Sequence, residues 1–130
     1  MISLSEGKSR LQDLILSLDT TSNMNEAQTR FHIIDILLFE CLGWEKEEIE
    51  VEKCENQKFT DYELGLPRLA ILEAKREGRA FEIPAGVSKK LTTDLQSLML
   101  TSNEAKDAII QAQDYCSKRG VPIAIVSNGH

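Results

Sequence analysis

The sequence predicts an α/β domain built on a central mixed sheet of about four strands flanked by helices. Two observations carry this. Between Glu48 and Lys75, three strand-patterned segments follow one another with only short turns between them, which predicts an antiparallel meander. After Lys75 the chain passes through helix-patterned sequence before reaching an apolar segment, Val121 to Val126. A long crossover of that kind is what a parallel strand pairing requires.

The elements follow in order. Leu4 to about Leu18 reads as an amphipathic helix, with Leu11, Leu14, Ile15 and Leu18 at helical spacing. Asp19-Thr-Thr-Ser-Asn23 breaks it. A second helix is expected from about Asn25 to Leu42, ending at Gly43, with Asn25 and Gln28 as a capping box. It is apolar over much of its girth (Phe31, Ile33, Ile34, Ile36, Leu37, Leu38, Phe39), which predicts deep packing. Trp44 anchors the corner that follows, and His32 reads as structural rather than catalytic.

Glu48 to Lys53 alternates Ile49 and Val51 with glutamates, the pattern of a half-exposed strand. Phe59 to Leu64 and Arg68 to Lys75 give the next two, separated by a turn at Gly65-Leu-Pro67. Gly78 to about Gly86 reads as a loop. Ser88 to Leu100 reads as a helix carrying Leu91, Leu95, Leu98 and Met99. Thr101 and Glu104 suggest a capping box opening a last helix that runs to Lys118 and stops at Gly120. Val121 to Val126 is expected to be buried on both faces.

At 130 residues the chain has room for a single real core. Hydrophobic content of 42% and charged content of 28% are ordinary for a globular protein. No apolar run approaches a membrane span, and the N-terminus lacks the layout of a signal peptide. Cys41, Cys54 and Cys116 are odd in number and widely spaced. They read as reduced thiols rather than a disulfide framework or zinc site, and a cytoplasmic location is expected. Residues 1–24 form an N-terminal helix and connector, and 25–130 the α/β domain. His130 follows the last strand so closely that the chain is expected to be the N-terminal part of a longer protein.

The chemistry concentrates at Asp61, Glu73 and Lys75. Strand side chains alternate, so Glu73 and Lys75 share a face, and Asp61 reaches it from the preceding strand across a tight turn. Two carboxylates and an amine at one strand end make a candidate hydrolytic metal site. Carboxylate oxygens suit a hard cation such as Mg²⁺, and the lysine can orient water or face a phosphate.

The net charge of −6 runs mildly against nucleic-acid binding, but it is unevenly spread. Glu45 to Glu63 holds eight acidic and three basic residues, whereas Arg68 to Lys90 holds six basic and three acidic. Two solvated surface segments would explain this equally well. Arg76, Arg79, Lys89 and Lys90 are the candidates for tracking a phosphate backbone, with no base-reading motif beside them.

Four stretches in this order resemble the PD-(D/E)xK nuclease superfamily, and more narrowly the N-terminal endonuclease domain of type I restriction-enzyme restriction subunits and related defence proteins. They are Asn25-Glu26-Ala-Gln-Thr-Arg30-Phe-His-Ile-Ile-Asp35-Ile-Leu-Leu with Leu42-Gly-Trp44; Asp61; Glu73-Ala-Lys75; and Gln111-Ala-Gln-Asp-Tyr115 with Ile123-Ala-Ile-Val-Ser-Asn128-Gly129. Together they span roughly residues 25 to 129. Thr60 stands where the motif has its proline, and the chain has no phosphate-binding Gly-x-x-x-x-Gly-Lys-Ser/Thr loop.

The resemblance implies a restriction-endonuclease-like fold and Mg²⁺- or Mn²⁺-dependent hydrolysis of DNA. It implies Asp61 and Glu73 as metal ligands with the Ala74 carbonyl, and Lys75 beside the attacking water. Glu26 is implied to reach into the metal site, although its place near a helix N-terminus and an ion pair to Arg30 four residues on would also account for it. Gln111 is implied to line the catalytic face, with Tyr115 and Arg30 in support. The implied partners are DNA and further domains or subunits of a defence complex, with no membrane.

Two other readings compete. One is a catalytically inactive nuclease-fold module that binds nucleic acid or a protein partner. The other is a small regulatory α/β module, which explains the acidic charge but not the clustered acid and base.

Overall fold

The computed structural model describes residues 2–18, 24–55, 58–75 and 93–128. Helix α1 covers Leu4–Leu18. Helix α2 runs through residues 26–41 as an α-helical turn, Glu26–Thr29, and two wide turns, Arg30–Ile34 and Leu37–Cys41. A 3₁₀ turn, Lys46–Glu48, leads into β1 (Ile49–Glu55), followed by β2 (Lys58–Leu64) and β3 (Ala70–Ala74). Then come α3 (Leu95–Thr101), α4 (Asn103–Arg119) and β4 (Ile123–Ser127).

The four strands form one sheet in the order β1-β2-β3-β4. The first three are an antiparallel meander, and β4 lies parallel to β3 after the helical crossover, as expected. The alternation of β3 sends its side chains to two different layers. Ala70, Leu72 and Ala74 join Tyr62 and Leu64 of β2 against Ile34 and Leu38 of α2, with Trp44 and Ile49 packed at the edge. On the opposite face Ile71 meets Tyr115, Cys116 and Val121. The sheet is thus sandwiched between α2 and α4, and every residue of β3 is buried.

Both halves of the Asn25–Gln28 capping box form, at 2.8 and 3.1 Å. Gly7 lets α1 lie directly on α2, since a Cβ there would meet the Cys41 carbonyl oxygen at 2.4 Å. Gly120 ends α4 in the left-handed region, at φ 65°, which glycine adopts without steric cost. Among the described residues no helix is long and apolar enough to cross a membrane. Cys41 and Cys116 are buried and free.

Several expectations need correction. Within the described part of the helix expected from Ser88 to Leu100, the helix starts at Leu95. Asp94 is extended, and its carboxylate caps the helix by accepting from Ser97 N–H at 2.8 Å; residues 88–92 and the loop at 78–86 lie outside the described residues. The last helix is capped by Ser102 rather than Thr101, because Ser102 Oγ accepts from Ala105 N–H while Thr101 Oγ donates back to the Ser97 carbonyl. Nor is β4 buried on both faces. As the edge strand next to β3 it leaves Ile123 45% exposed.

The apolar stripe of α1 buries Leu14 but leaves Ile15 more than half exposed, and Phe31 of α2 is exposed beside His32. Glu63, in the stretch read as an acidic surface, is fully buried, with its carboxylate 3.6 Å from Arg119 Nε and bonded by Thr60 Oγ.

Candidate active site

The site begins where β2 and β3 part. Their ladder pairs Leu64 with Ala70, Glu63 with Ile71 and Tyr62 with Leu72, then stops. Continued one step, the same register sets Asp61 opposite Glu73. Instead of a main-chain acceptor from β2, the Ala74 N–H finds the Asp61 carboxylate, whose Oδ2 accepts it at 2.7 Å. A side chain thus satisfies the backbone donor left by the split, as burial of that donor requires. The fork holds both carboxylates at the end of the sheet.

From the other layer, α4 reaches down with Gln111. Its Nε2 donates to Glu73 Oε2 at 3.3 Å, and its Oε1 accepts from Lys75 Nζ at 3.0 Å. One amide thereby clamps both charged ends of the Glu-Ala-Lys element, which confirms that Glu73 and Lys75 share a face. Tyr115, one turn further along α4 and buried, places its hydroxyl 3.5 Å from Gln111 Nε2.

Glu73 is 2% exposed, and its Oε1 is buried with no hydrogen-bond partner. Burial raises its pKa to about 7; Asp61 and, more weakly, Glu26 push the same way, and Lys75 opposes them. Glu26 is thus an electrostatic neighbour of Glu73. The expected Glu26–Arg30 ion pair does not form, because Arg30 turns inward. Its Nη1 lies 2.9 Å from Glu52 Oε1 and 3.8 Å from Asp61 Oδ1, and the guanidinium rests over the Tyr62 ring at 5.1 Å.

The wide turns of α2 explain this geometry. Asp35 N–H donates to the Arg30 carbonyl, five residues back rather than four. In a regular helix of 3.6 residues per turn, residues five apart stand roughly 140° round the axis. The wider turn brings Arg30 and Asp35 to one side, where both meet Tyr62: Arg30 covers the ring and Asp35 accepts the Tyr62 hydroxyl. Wide turns of this kind recur at functional sites.

The donor set fits a hard divalent cation. Asp61 keeps Oδ1 free of backbone bonds, and Glu73 holds a buried oxygen with nothing to satisfy it, which costs free energy unless a proton or a cation supplies the missing partner. Among the described residues no group of three or more His, Cys, Asp or Glu side chains is assembled to hold a metal ion. A shell around Asp61 and Glu73 would therefore be completed by main-chain oxygen, water or phosphate.

The structure brings Asp61, Glu73, Lys75 and Gln111 together, with Tyr115, Arg30 and Glu26 around them. Arg76, Arg79, Lys89 and Lys90 lie outside the described residues. Sequence reasoning missed Glu52 and the Asp35–Tyr62 pair. Glu52 was hidden in a run of glutamates, and an i→i+5 turn leaves no mark in the spacing of apolar residues. No family model matches the chain, and no match was found among curated proteins or solved structures.

Proposed function

We propose that this chain is a metal-dependent endonuclease domain that hydrolyses DNA phosphodiester bonds, in the setting of restriction or anti-phage defence that its resemblance implies. The observation that carries the reading is the buried Glu73 carboxylate with an unsatisfied oxygen, set across the strand fork from Asp61 and clamped to Lys75 through Gln111. A purely structural carboxylate usually has donors for both oxygens; here Oε2 accepts from Gln111 and the buried Oε1 has no hydrogen-bond partner.

When bound by Asp61 and Glu73, Mg²⁺ or Mn²⁺ supplies neutralisation of phosphate charge and acidification of water. The chain's own groups do the rest. Lys75 donates its ammonium to Gln111 on the same face as Glu73, where it would orient water and face a phosphate oxygen. Gln111 fixes the distance between Lys75 and Glu73, and Tyr115 backs it. Arg76, Arg79, Lys89 and Lys90 are proposed to contact the phosphate backbone of DNA, which positions the duplex without reading its sequence.

The test is a calorimetric titration with Mn²⁺. Wild type should bind, and Asp61→Ala should abolish binding. Undiminished binding in that variant would remove Asp61 from the site. Folded wild-type protein that binds DNA but takes up no metal would favour the inactive, nucleic-acid-binding reading.

A further inference from the structure

Glu52 is the one non-glycine residue with a positive φ among the described residues, at 51°, in the middle of β1. That is left-handed backbone, which side chains with a Cβ adopt at a steric cost, and such conformations gather at functional sites. The strain falls at a specific place. The β1–β2 ladder pairs Val51 with Tyr62 and Lys53 with Thr60, and omits the pair between them, Glu52 and Asp61. Glu52, Asp61 and Glu73 therefore occupy neighbouring positions across three strands, a row of like charges that would repel.

Arg30 enters this row between the first two. The same nitrogen, Nη1, sits at hydrogen-bond distance from Glu52 (2.9 Å) and at a longer 3.8 Å from Asp61. Its guanidinium is held over the Tyr62 ring, so only a small swing separates the two carboxylates as partners. The Glu52 side chain is 65% exposed and the Arg30 side chain 18% exposed. With its carboxylate so open to water, the pair contributes little to stability. Its geometric effect is larger, because it decides which carboxylate Arg30 engages.

We infer that Glu52 is a positioning residue that holds the Arg30 guanidinium back from Asp61, keeping Asp61 Oδ1 open to a divalent cation. This rests on the metal reading above. With Glu52 gone, Arg30 closes onto Asp61 and competes with the cation for the same oxygen.

The experiment is calorimetric titration with Mn²⁺ of the wild-type chain, Glu52→Gln, Arg30→Met and the double variant, alongside thermal unfolding without metal. Glu52→Gln should raise the Mn²⁺ dissociation constant about tenfold, in the range of losses seen when groups that orient metal ligands are removed. In the Arg30→Met background the same substitution should change the constant by less than about twofold, well below that range. Glu52→Gly should melt at a higher temperature than Glu52→Gln, since glycine accepts the positive φ, yet bind Mn²⁺ as weakly. Without metal, Asp61→Asn should lower the melting temperature more in the Glu52→Gln background than in wild type, because Arg30 then leans on Asp61. Wild-type protein that takes up no Mn²⁺ overturns the metal reading and this inference with it. If wild type binds and Glu52→Gln binds equally well, or loses the same affinity with and without Arg30, the inference alone is overturned. An Asp61→Asn effect that is equal in both backgrounds overturns it too.

Discussion

The Asp61 carboxylate accepts the Ala74 N–H at 2.7 Å, so a side chain of β2 takes over a bond that the β2–β3 ladder gives up one step earlier. This single contact ties the first acidic residue to the centre of the Glu-Ala-Lys element. Asp61→Ala should therefore destabilise the fold by about 1.5–3 kcal/mol, the range for a hydrogen bond to a charged group. Urea unfolding measures it, and an unchanged midpoint would mean that the fork is held by the backbone alone.

Glu73 should give the chain a pH-dependent stability. Its pKa in the folded protein is about 7, against an ordinary 4.5, chiefly because it is buried. Between those values the folded chain holds a proton that the unfolded chain releases. The contribution is fully present below about pH 4.5 and is lost as pH rises through 7, by an amount on the order of 3 kcal/mol. Glu73→Gln should remove that slope and be the more stable protein at pH 8. Mn²⁺ should raise the wild-type melting temperature at pH 8 and leave that of Glu73→Gln nearly unchanged. Parallel stability profiles for wild type and Glu73→Gln would contradict this.

Gln111 bonds both Glu73 and Lys75. Gln111→Leu keeps much of the side-chain volume and removes both polar contacts. Loss of positioning at a reacting centre costs about 100-fold in rate, and a decrease of that order is expected in DNA cleavage, mainly in turnover rather than in DNA affinity. Steady-state kinetics separates the two. A loss confined to affinity would place Gln111 at the DNA surface instead.

The start of α4 offers a test of local structure. Ser102→Ala removes the side-chain cap on Ala105 N–H and should cost about 1 kcal/mol. Thr101→Ala removes a bond within α3 and should cost less. The reverse order of midpoints in chemical unfolding would restore Thr101 as the cap.

Much of this fold could be read from the sequence because its signals are local. The meander followed from alternation and short turns, the α2 start from Asn25 and Gln28, the parallel β4 from the length of the crossover. The convergence of Asp61, Glu73 and Lys75 followed from strand parity. What escaped was set by neighbours distant in the chain. Whether β4 is covered depends on what lies beside it, and its apolar composition could not report that. Arg30 pairs with Glu52 rather than Glu26 because wide turns rotate it inward. Glu63 is buried on the face of the sheet that α4 covers, with Arg119 near the end of α4 at 3.6 Å; nothing in the glutamate-rich stretch around it distinguishes it from its exposed neighbours.

The activity proposed for the Asp61–Glu73–Lys75 fork is cation-dependent hydrolysis of DNA. The most direct measurement is nicking of supercoiled plasmid by wild type, Glu73→Ala and Lys75→Ala, with Mg²⁺ or Mn²⁺ and with chelator. Circular dichroism would confirm that all three are folded. Cleavage by wild type alone, abolished by chelator, is the expected result. Equal nicking by all three proteins, or DNA binding by wild type without any cleavage, would contradict it.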